Sequence, residues 1–390
     1  MENWKIVRLG DVCEILNGYA FKSDKYVDSG IRVIRITNVQ KGFIEDNSPA
    51  FYPITEKENL KDYELYENDL LISLTGNVGR VALLSKEMLP AALNQRVGCI
   101  RIRDKNLLIS YLFTFLNSDK FESDCIYSAR GIAQKNMSTE WLKNYLIPLP
   151  PIEVQIKIAN NLNTCAKIIK KHNKQLNNFD LLIKSRFIEM FGDNPIENGK
   201  WKVEKLGNLG LCKNGMNFSY EDNGFEINCL GVGDFKDNAV ISNCEKLPVI
   251  SLNEKPSEEY LLKDNDIVFV RSNGNKELVG RSVLVHPRVL TTFSGFCIRF
   301  RLSTDSINHL FLLQFLKMPN TRKNMAGRGA NIQNLNQQIL SNLDIPVPPI
   351  SLQNDFAAFV QQIDKSKFAV QKSLEKAETL YKSLMQEYFG

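Results

Sequence analysis

The most constraining feature of this sequence is an internal repeat with a spacing of about 198 residues. The residues IPLPPI at 147–152 return as IPVPPI at 345–350. The segment WKIVRLG at 4–10 likewise returns as WKVEKLG at 201–207. Solenoid repeats run about 20–50 residues. A period this long therefore predicts a duplicated domain, which can form a pseudo-dimer within one polypeptide.

The bulk composition bounds the class of protein. The 390 residues are 43% apolar and 24% charged, as in ordinary globular proteins, and suffice for two or more domains. No run approaches about 18 apolar residues, and the N-terminus lacks a secretion signal, so we expect neither a membrane span nor export. The eight cysteines contain no Cys-x-x-Cys pair and are expected to be reduced. We therefore expect a cytoplasmic protein.

Each half begins with about 150 residues of mixed strand and helix patterns and then reaches a proline-rich stretch. Segments rich in β-branched residues and bounded by turn formers predict strands, and short amphipathic segments predict helices. Proline disfavours helix at the preceding residue, so the prolines mark the end of each globular part. The predicted strands are residues 31–39, 69–74, 97–103, 266–271 and 296–302, and the predicted short helices are residues 110–116 and 309–317.

A long helix is predicted after each proline-rich stretch. Mostly apolar residues recur there at alternating steps of four and three over about five heptads, which is typical of a coiled coil. His172, Arg186 and Lys367 interrupt this seam, and a lone polar residue there more often fixes register than performs chemistry. The alternative is a helix packed on its own domain, which rarely needs a length of about 57 Å. The predicted coiled-coil interface comprises Ile158, Leu162, Ile169, Leu176, Phe179, Ile183, Phe356, Val360, Ile363, Val370, Leu374, Tyr381 and Leu384.

The linker between the halves predicts the direction of helix pairing. It spans under roughly 30 Å when extended, which could hardly return the chain over a full helix length. We therefore expect an antiparallel, pseudo-two-fold pair with one globular domain at each end. The predicted fold class is α+β, with two tandem mixed α/β domains separated by two long helices that form an antiparallel coiled coil. The predicted boundaries are 1–150 for the first domain, 151–192 for the first helix, 193–200 for the linker, 201–348 for the second domain and 349–390 for the second helix.

The sequence carries no recognisable catalytic motif. It has no Gly-x-x-x-x-Gly-Lys-Ser/Thr loop, no Gly-x-Gly-x-x-Gly and no Gly-x-Ser-x-Gly. The methyltransferase string Asp/Asn-Pro-Pro-Tyr/Phe is absent, and the three histidines show no metal-binding spacing. We therefore predict a protein that is not an enzyme and binds no metal, although an active site built without a motif stays open as an alternative.

Polar, glycine-containing loops follow or precede the predicted strands in both halves. Arg, Asn, Gln and Lys side chains read base edges and hold phosphates, and glycine lets backbone amides approach a phosphate closely. Solvated turns are the alternative interpretation. The net charge of +5 is modest for a nucleic-acid binder, so charge is either concentrated locally or supplied partly by a partner. The candidate DNA-binding residues are Thr75, Asn77, Arg80, Asn94, Gln95 and Arg96 in the first half, with Arg271, Asn273, Asn275, Lys276 and Arg281 in the second.

The repeated motifs resemble a known family. The residues RGIAQKN at 130–136, the IPLPPI stretch, Gln155 and the Trp-Lys-x-x-x-Leu-Gly openings at Trp4 and Trp201 resemble specificity subunits of Type I restriction–modification systems. The resemblance covers essentially the whole chain. The motif and its echo in the second half add Arg130, Gln134, Asn136, Arg328, Gln333 and Asn334 to the candidate DNA-binding residues.

The resemblance implies a non-catalytic subunit that recognises double-stranded DNA. Each domain would read one half of a bipartite target, and the helices would set the gap and dock two methyltransferase subunits. S-adenosylmethionine for adenine N6 methylation, and the ATP and Mg of the motor–nuclease subunits, would be bound by those partners and not by this chain. The halves diverge most at residues 19–67 and 216–264, so we expect an asymmetric target.

A second interpretation has no role for DNA. A pseudo-symmetric coiled-coil adaptor that presents two domains for other ligands would show the same repeat and the same seam. A steep salt dependence of binding would separate a DNA reader from such an adaptor.

Overall fold

The computed structural model describes residues 4–129, 136–219, 222–235, 240–326 and 334–390, apart from the side chains of Lys276 and Ala326. The chain divides into two compact units. The first unit comprises residues 1–173 and 372–390, and the second comprises residues 174–371. Within the described residues, no helix is both long enough and apolar enough to cross a membrane.

An antiparallel central sheet forms the core of the first unit. Its strands lie in the order Cys13–Asn17, Val97–Ile102, Leu70–Ser73 and Val81–Leu83. One face packs on the short helices, with Leu70, Ile72 and Ile100 fully buried. The other strands of this unit are Lys5–Arg8, Ile31–Ile34, Val39–Gln40, Phe43–Ile44, Phe51–Tyr52, Glu64–Leu65, Ala91–Leu93 and Leu146–Leu149, and its short α-helices are Leu9–Val12, Ile109–Leu116, Asp119–Ser128 and Thr139–Asn144.

The second unit repeats this plan. Its central sheet has the order Gly210–Asn214, Cys297–Leu302, Asp266–Val270, Ser282–Val285 and Val240–Ile241, with the last strand added in parallel. The other strands are Lys202–Lys205, Phe225–Leu230, Val249–Leu252, Thr291–Phe293 and Asp344–Val347, and the short α-helices are Leu206–Leu209, His309–Leu316, Pro319–Ala326 and Gln337–Ser341.

The strand predicted at residues 31–39 is interrupted in the structure. The strand ends at Ile34, and a 3-10 turn occupies Ile36–Asn38. Buried Asn38 causes the break, because its side-chain oxygen accepts from the Arg35 amide (2.9 Å) and its side-chain nitrogen donates to the Glu45 carbonyl (2.8 Å). A side chain that bonds the local backbone competes with the strand ladder.

A buried aspartate at the start of one central strand repeats between the units. Asp69 accepts two hydrogen bonds from Arg101, at 2.8 and 2.7 Å, and one from the Tyr66 amide at 2.8 Å. Asp266 accepts equivalent bonds from Arg301, both at 2.7 Å. Each pair joins a turn to the middle of its sheet with bidentate, charge-assisted geometry, which is the strong form of such a contact.

The glutamine that follows each proline stretch fixes the start of the long helix. Gln155 is fully buried, accepts from the Leu108 amide (2.8 Å), and donates to the carbonyls of Asn106 and Pro150 (both 2.8 Å). Gln353 makes the corresponding three bonds in the second unit. Each glutamine therefore ties the start of its long helix to the loop that precedes the helix Ile109–Leu116 in the first unit and His309–Leu316 in the second.

The two long helices are Ile152–Phe191 and Ile350–Phe389, each of 40 residues. Every residue of the predicted interface is protected from solvent, while most positions between them are exposed. Between residues 166 and 182, for example, only Ile169, His172, Leu176 and Phe179 are not exposed. The buried members are Ile158, Leu162, Ile183, Phe356, Val360, Ile363 and Leu374, and the half-buried ones are Ile169, Leu176, Phe179, Val370, Tyr381 and Leu384.

Within the first unit, the beginning of the first long helix pairs with the end of the second. Asn161 donates to the Tyr388 hydroxyl (3.1 Å). Phe389 packs edge-on against Phe115, with ring centroids 5.2 Å apart. The helices are therefore antiparallel in this unit.

The second unit contains the reciprocal pairing. Phe356 packs against Phe187 and Phe191, with ring centroids 5.5 and 5.7 Å away. Lys367, which interrupts the predicted seam, forms an ion pair with Asp180 of the other helix. A polar pair of this kind favours one register of a coiled coil over others.

Lys317 lies beside this ion pair and predicts a pH dependence of stability. Burial, and then the charge of Lys367, lower the pKa of Lys317 from 10.5 to about 8, against the opposite effects of Asp180 and Asp364. Between about pH 8 and about pH 10.5, the folded state has released this proton and the unfolded state still holds it, so the free energy of unfolding rises with pH. Below about pH 8, Lys317 is charged in both states, and the full cost of burying its charge lowers stability.

We expect Lys317→Met to raise the stability of the second unit at pH 7 and to flatten this rise. Denaturant midpoints measured from pH 7 to 10 check it, with exposed Lys365→Met as the matched control. An unchanged pH slope in the Lys317 variant would contradict the assignment.

Candidate nucleic-acid interface

The polar loop 75–80 of the first unit is held in a fixed conformation. The Ser73 hydroxyl, at the end of the central strand, donates to the Asn77 carbonyl and accepts from the Arg80 amide (3.0 Å). Gly79 has a φ of 83°, and a Cβ there would lie 2.7 Å from the Cβ of Cys125. The loop is therefore bound to its strand and packed on a helix, while Asn77 stays exposed.

Three separate predicted segments meet at this edge of the first unit. The Leu74 amide donates to the Arg96 carbonyl (3.0 Å), and the Met137 amide donates to the Leu74 carbonyl (2.8 Å). An isolated β-bridge joins Thr75 to Asn136. The loops at 75–80 and 94–96 and the residues around 136 therefore form one surface, on which Asn77, Gln95, Arg96 and Asn136 are exposed.

The second unit builds the same frame from equivalent positions. The Arg271 amide donates to the Phe296 carbonyl (2.8 Å), and the Leu335 amide donates to the Arg271 carbonyl (2.8 Å). A β-bridge joins Ser272 to Asn334. Each unit thus carries what we call its polar edge, defined by residues 74–80, 94–96 and 136–137 in the first unit and by residues 271–281, 294–296 and 334–335 in the second.

Side-chain oxygens shape the turns at these edges. Asn94 accepts from the Arg96 amide (3.2 Å), while in the second unit Asn273 accepts from the Asn275 amide (2.8 Å) and Asn275 from the Glu277 amide (3.0 Å). Such local bonds fix a turn.

Four of the six predicted arginines lie within the described residues, and their surroundings differ. Arg80 and Arg271 are half-buried, and their guanidinium groups donate to the side-chain oxygen of Gln40 and to the Gly295 carbonyl, respectively. Arg281 is half-buried, whereas Arg96 is exposed. Arg96 is therefore the best placed of the four to contact a ligand.

A further arginine lies at the second polar edge and was not singled out from the sequence. Arg322, on the helix Pro319–Ala326, donates to the Glu277 carbonyl (2.7 Å). Burial, and then the neighbouring Arg281, lower the pKa of Arg322. Arg281 and Arg322 both contribute positive charge at this loop, and Glu277 offsets part of it.

Several predicted residues have no described environment. Arg130, Gln134, Arg328 and Gln333 lie outside the described residues, as does the side chain of Lys276. No group of His, Cys, Asp and Glu suited to a metal ion occurs among the residues that the structure describes.

Residues 1–178 and 198–378 match the family model of the Type I restriction modification DNA specificity domain. The chain belongs to this family. It is a DNA-specificity subunit of a Type I restriction–modification system and a non-catalytic component of that system.

Named relatives match over nearly the full length. The specificity subunit of the StySPI enzyme from Salmonella potsdam is 24% identical, over 99% of this chain and 87% of the relative. That of MjaVIII from Methanocaldococcus jannaschii is 24% identical, over 98% and 91%. The crystal structure of a Type I S subunit from M. genitalium superposes with a TM-score of 0.62 at 15% identity, over 100% of this chain and 96% of that one. This last likeness supports the fold.

The predicted α+β class, with two tandem mixed domains and two long antiparallel helices, is therefore confirmed. The family assignment made from the proline and Trp-Lys motifs is confirmed as well. The individual DNA-contact residues stay predictions.

Proposed function

We propose that each unit of this specificity subunit reads one half of a bipartite DNA target through its polar edge. The observation that carries this proposal is the repeated frame, in which a strand end, a turn and a third segment are held together by matching backbone hydrogen bonds. Rigid frames that present amide and guanidinium groups suit base and phosphate recognition, because the side chains are positioned before binding.

The two halves of the target differ in sequence under this proposal. Positions that share the frame carry different side chains: Arg96 corresponds to Phe296, Asn94 to Ser294, and Thr75 to Ser272. These side chains offer different hydrogen-bonding and apolar groups to a base. Because the two polar edges share one backbone frame but carry different side chains, we expect the two half-sites to differ in sequence.

The long helices dock two methyltransferase subunits, one against each unit. Exposed apolar side chains support this role, because each unit carries some of them on its part of the helix pair. In the second unit, Phe368 is 73% exposed and Leu182 is exposed as well. In the first unit, Ile168 and Leu380 are exposed. The partner subunits transfer the methyl group from S-adenosylmethionine to the DNA, and this chain determines which DNA sequence is methylated.

Alanine at Arg96 provides the direct test of the reading surface. We expect Arg96→Ala to cost about 1–3 kcal/mol of binding free energy for the methyltransferase complex, and to relax specificity in one half-site, if Arg96 pairs with guanine. Fluorescence anisotropy with target duplexes varied one base pair at a time measures this. Methylome sequencing of cells with and without the gene supplies the target.

Arg103 is the matched control. It follows the same strand, Val97–Ile102, that Arg96 precedes, and it forms an ion pair with Glu14 at the far end (2.6 Å). Arg103→Ala should leave DNA binding unchanged. Equal binding by both variants and the unmodified complex would place the reading surface elsewhere.

A further inference from the structure

An aromatic ring stands exposed at the polar edge of the second unit. Phe296 is 62% exposed, although the residues on either side of it, Gly295 and Cys297, are buried. The strand predicted from residue 296 begins instead at Cys297, so Phe296 belongs to the turn and not to the sheet. Its ring therefore projects from the surface that is proposed to meet DNA.

The backbone that carries this ring is held on every side. The Phe296 carbonyl accepts from the amides of Arg271 (2.8 Å) and Ser272 (3.4 Å), and the Phe296 amide donates to the Ser294 hydroxyl (3.3 Å). The Arg271 guanidinium donates to the carbonyl of Gly295 (3.2 Å). A phenylalanine has only two side-chain torsions, so a ring on such a backbone can be placed in contact at low entropic cost.

Gly295 shows how closely this turn is packed. Its amide donates to the Met216 carbonyl (2.8 Å), and a Cβ at this position would lie 2.0 Å from the side-chain oxygen of Asn217. A side chain at position 295 would displace the Asn217 amide, so glycine allows this close approach of the turn to that loop.

The first unit has an arginine at the equivalent position. The Arg96 carbonyl accepts from the Leu74 amide, and the Arg96 amide donates to Asn94, as Phe296 does with Arg271 and Ser294. An arginine can pair with guanine or with a phosphate. A phenyl ring carries neither charge nor a donor, so it cannot grip the phosphate backbone, and its partner on a base edge must be apolar.

We propose that Phe296 is a specificity-determining residue that packs on the 5-methyl group of a thymine in the half-site of the second unit. The methyl group is the apolar feature that the major groove displays. The neighbouring Asn273 and Asn275 carry amide groups that pair with major-groove edges, which favours this groove for the ring as well. This inference rests on the proposed DNA-reading function.

Deoxyuridine tests the contact, because it removes only the methyl group. We expect one thymine-to-deoxyuridine change in the second half-site to weaken binding by the methyltransferase complex about fourfold, the value of one buried methyl-sized group. Phe296→Ala should weaken binding to the thymine target and should no longer distinguish thymine from deoxyuridine there. Phe296→Leu should keep part of the discrimination. Deoxyuridine effects in the first half-site should be the same in all variants.

The outcomes separate this inference from the function on which it rests. If Arg96→Ala, like Arg103→Ala, binds the target as the unmodified complex does, the proposed function of the polar edges fails. If Arg96→Ala does weaken binding, three results would overturn the thymine contact: Phe296→Ala binding like the unmodified complex, the variant keeping its deoxyuridine sensitivity, or a uniform loss on all sequences. A loss without thymine dependence would point to a ring inserted between base pairs instead.

Discussion

Asp266→Ala is expected to lower the free energy of unfolding of the second unit by about 3 kcal/mol, because it removes the fully buried carboxylate of a partly buried ion pair and leaves a buried amide without its acceptor. Asp266 is fully buried and accepts both bonds of the Arg301 fork together with the Lys263 amide (2.7 Å). The variant leaves the guanidinium without its carboxylate and the Lys263 amide without its acceptor. Few single substitutions at exposed positions approach such a loss.

Trp201 allows this change to be followed in the second unit alone. It is one of three tryptophans, and the other two, Trp4 and Trp141, lie in the first unit. In a Trp4→Phe, Trp141→Phe background, denaturant unfolding monitored by Trp201 fluorescence reports the second unit.

The exposed ion pair between Lys263 and Glu258, with side chains 56% and 75% exposed, supplies the matched control. Glu258→Ala should change stability by less than about 1 kcal/mol. A loss no larger for Asp266→Ala than for Glu258→Ala would show that the buried pair contributes little.

The repeat, the seam and the proline stretches were sufficient to predict the architecture from sequence. Both long helices begin just after the prolines, and their protected residues follow the predicted four–three spacing. This succeeded because helix amphipathicity is a local periodic signal. The segment at residues 31–39 shows the limit of such signals, since buried Asn38 replaces strand pairing with local side-chain bonds.

The candidate site was predictable only in part. Polar loops at strand ends were visible in the sequence, but the backbone bonds that join residues 74, 96 and 137 depend on tertiary pairing. The same dependence hides the Asp69–Arg101 pair, whose members lie 32 residues apart. The sequence predicts Phe296 as the first residue of a strand, whereas the strand begins at Cys297, because an apolar residue has the same character whether it faces a core or a ligand.

The helix pair is proposed to set the gap between the two half-sites, and lengthening it gives the second large prediction. Both helices are unbroken across the boundary between the units, which falls after Asn173 in one helix and after Gln371 in the other. Both residues are exposed and occupy the same heptad position. Repeating residues 167–173 and 365–371 at these two points adds one heptad to each helix and keeps both seams continuous.

We expect the lengthened complex to prefer a gap about three base pairs longer, because seven residues add about 10 Å of helix and a base pair rises about 3.4 Å. The second half-site also rotates by about 100°, given roughly 10–10.5 base pairs per turn. The supercoil of the helices does not match that rotation closely, so binding should be weaker than normal even at the new gap. Methylation by the reconstituted complex, on duplexes that differ only in gap length, measures the preference.

A four-residue insertion at the same two points is the matched control. It breaks the four–three pattern, so we expect it to impair folding or assembly instead of changing the gap. The seven-residue variant must stay folded, assembled and active for the comparison. If such a variant keeps the original gap preference, helix length does not set the spacing, and the separation of the half-sites must be determined by the partner subunits.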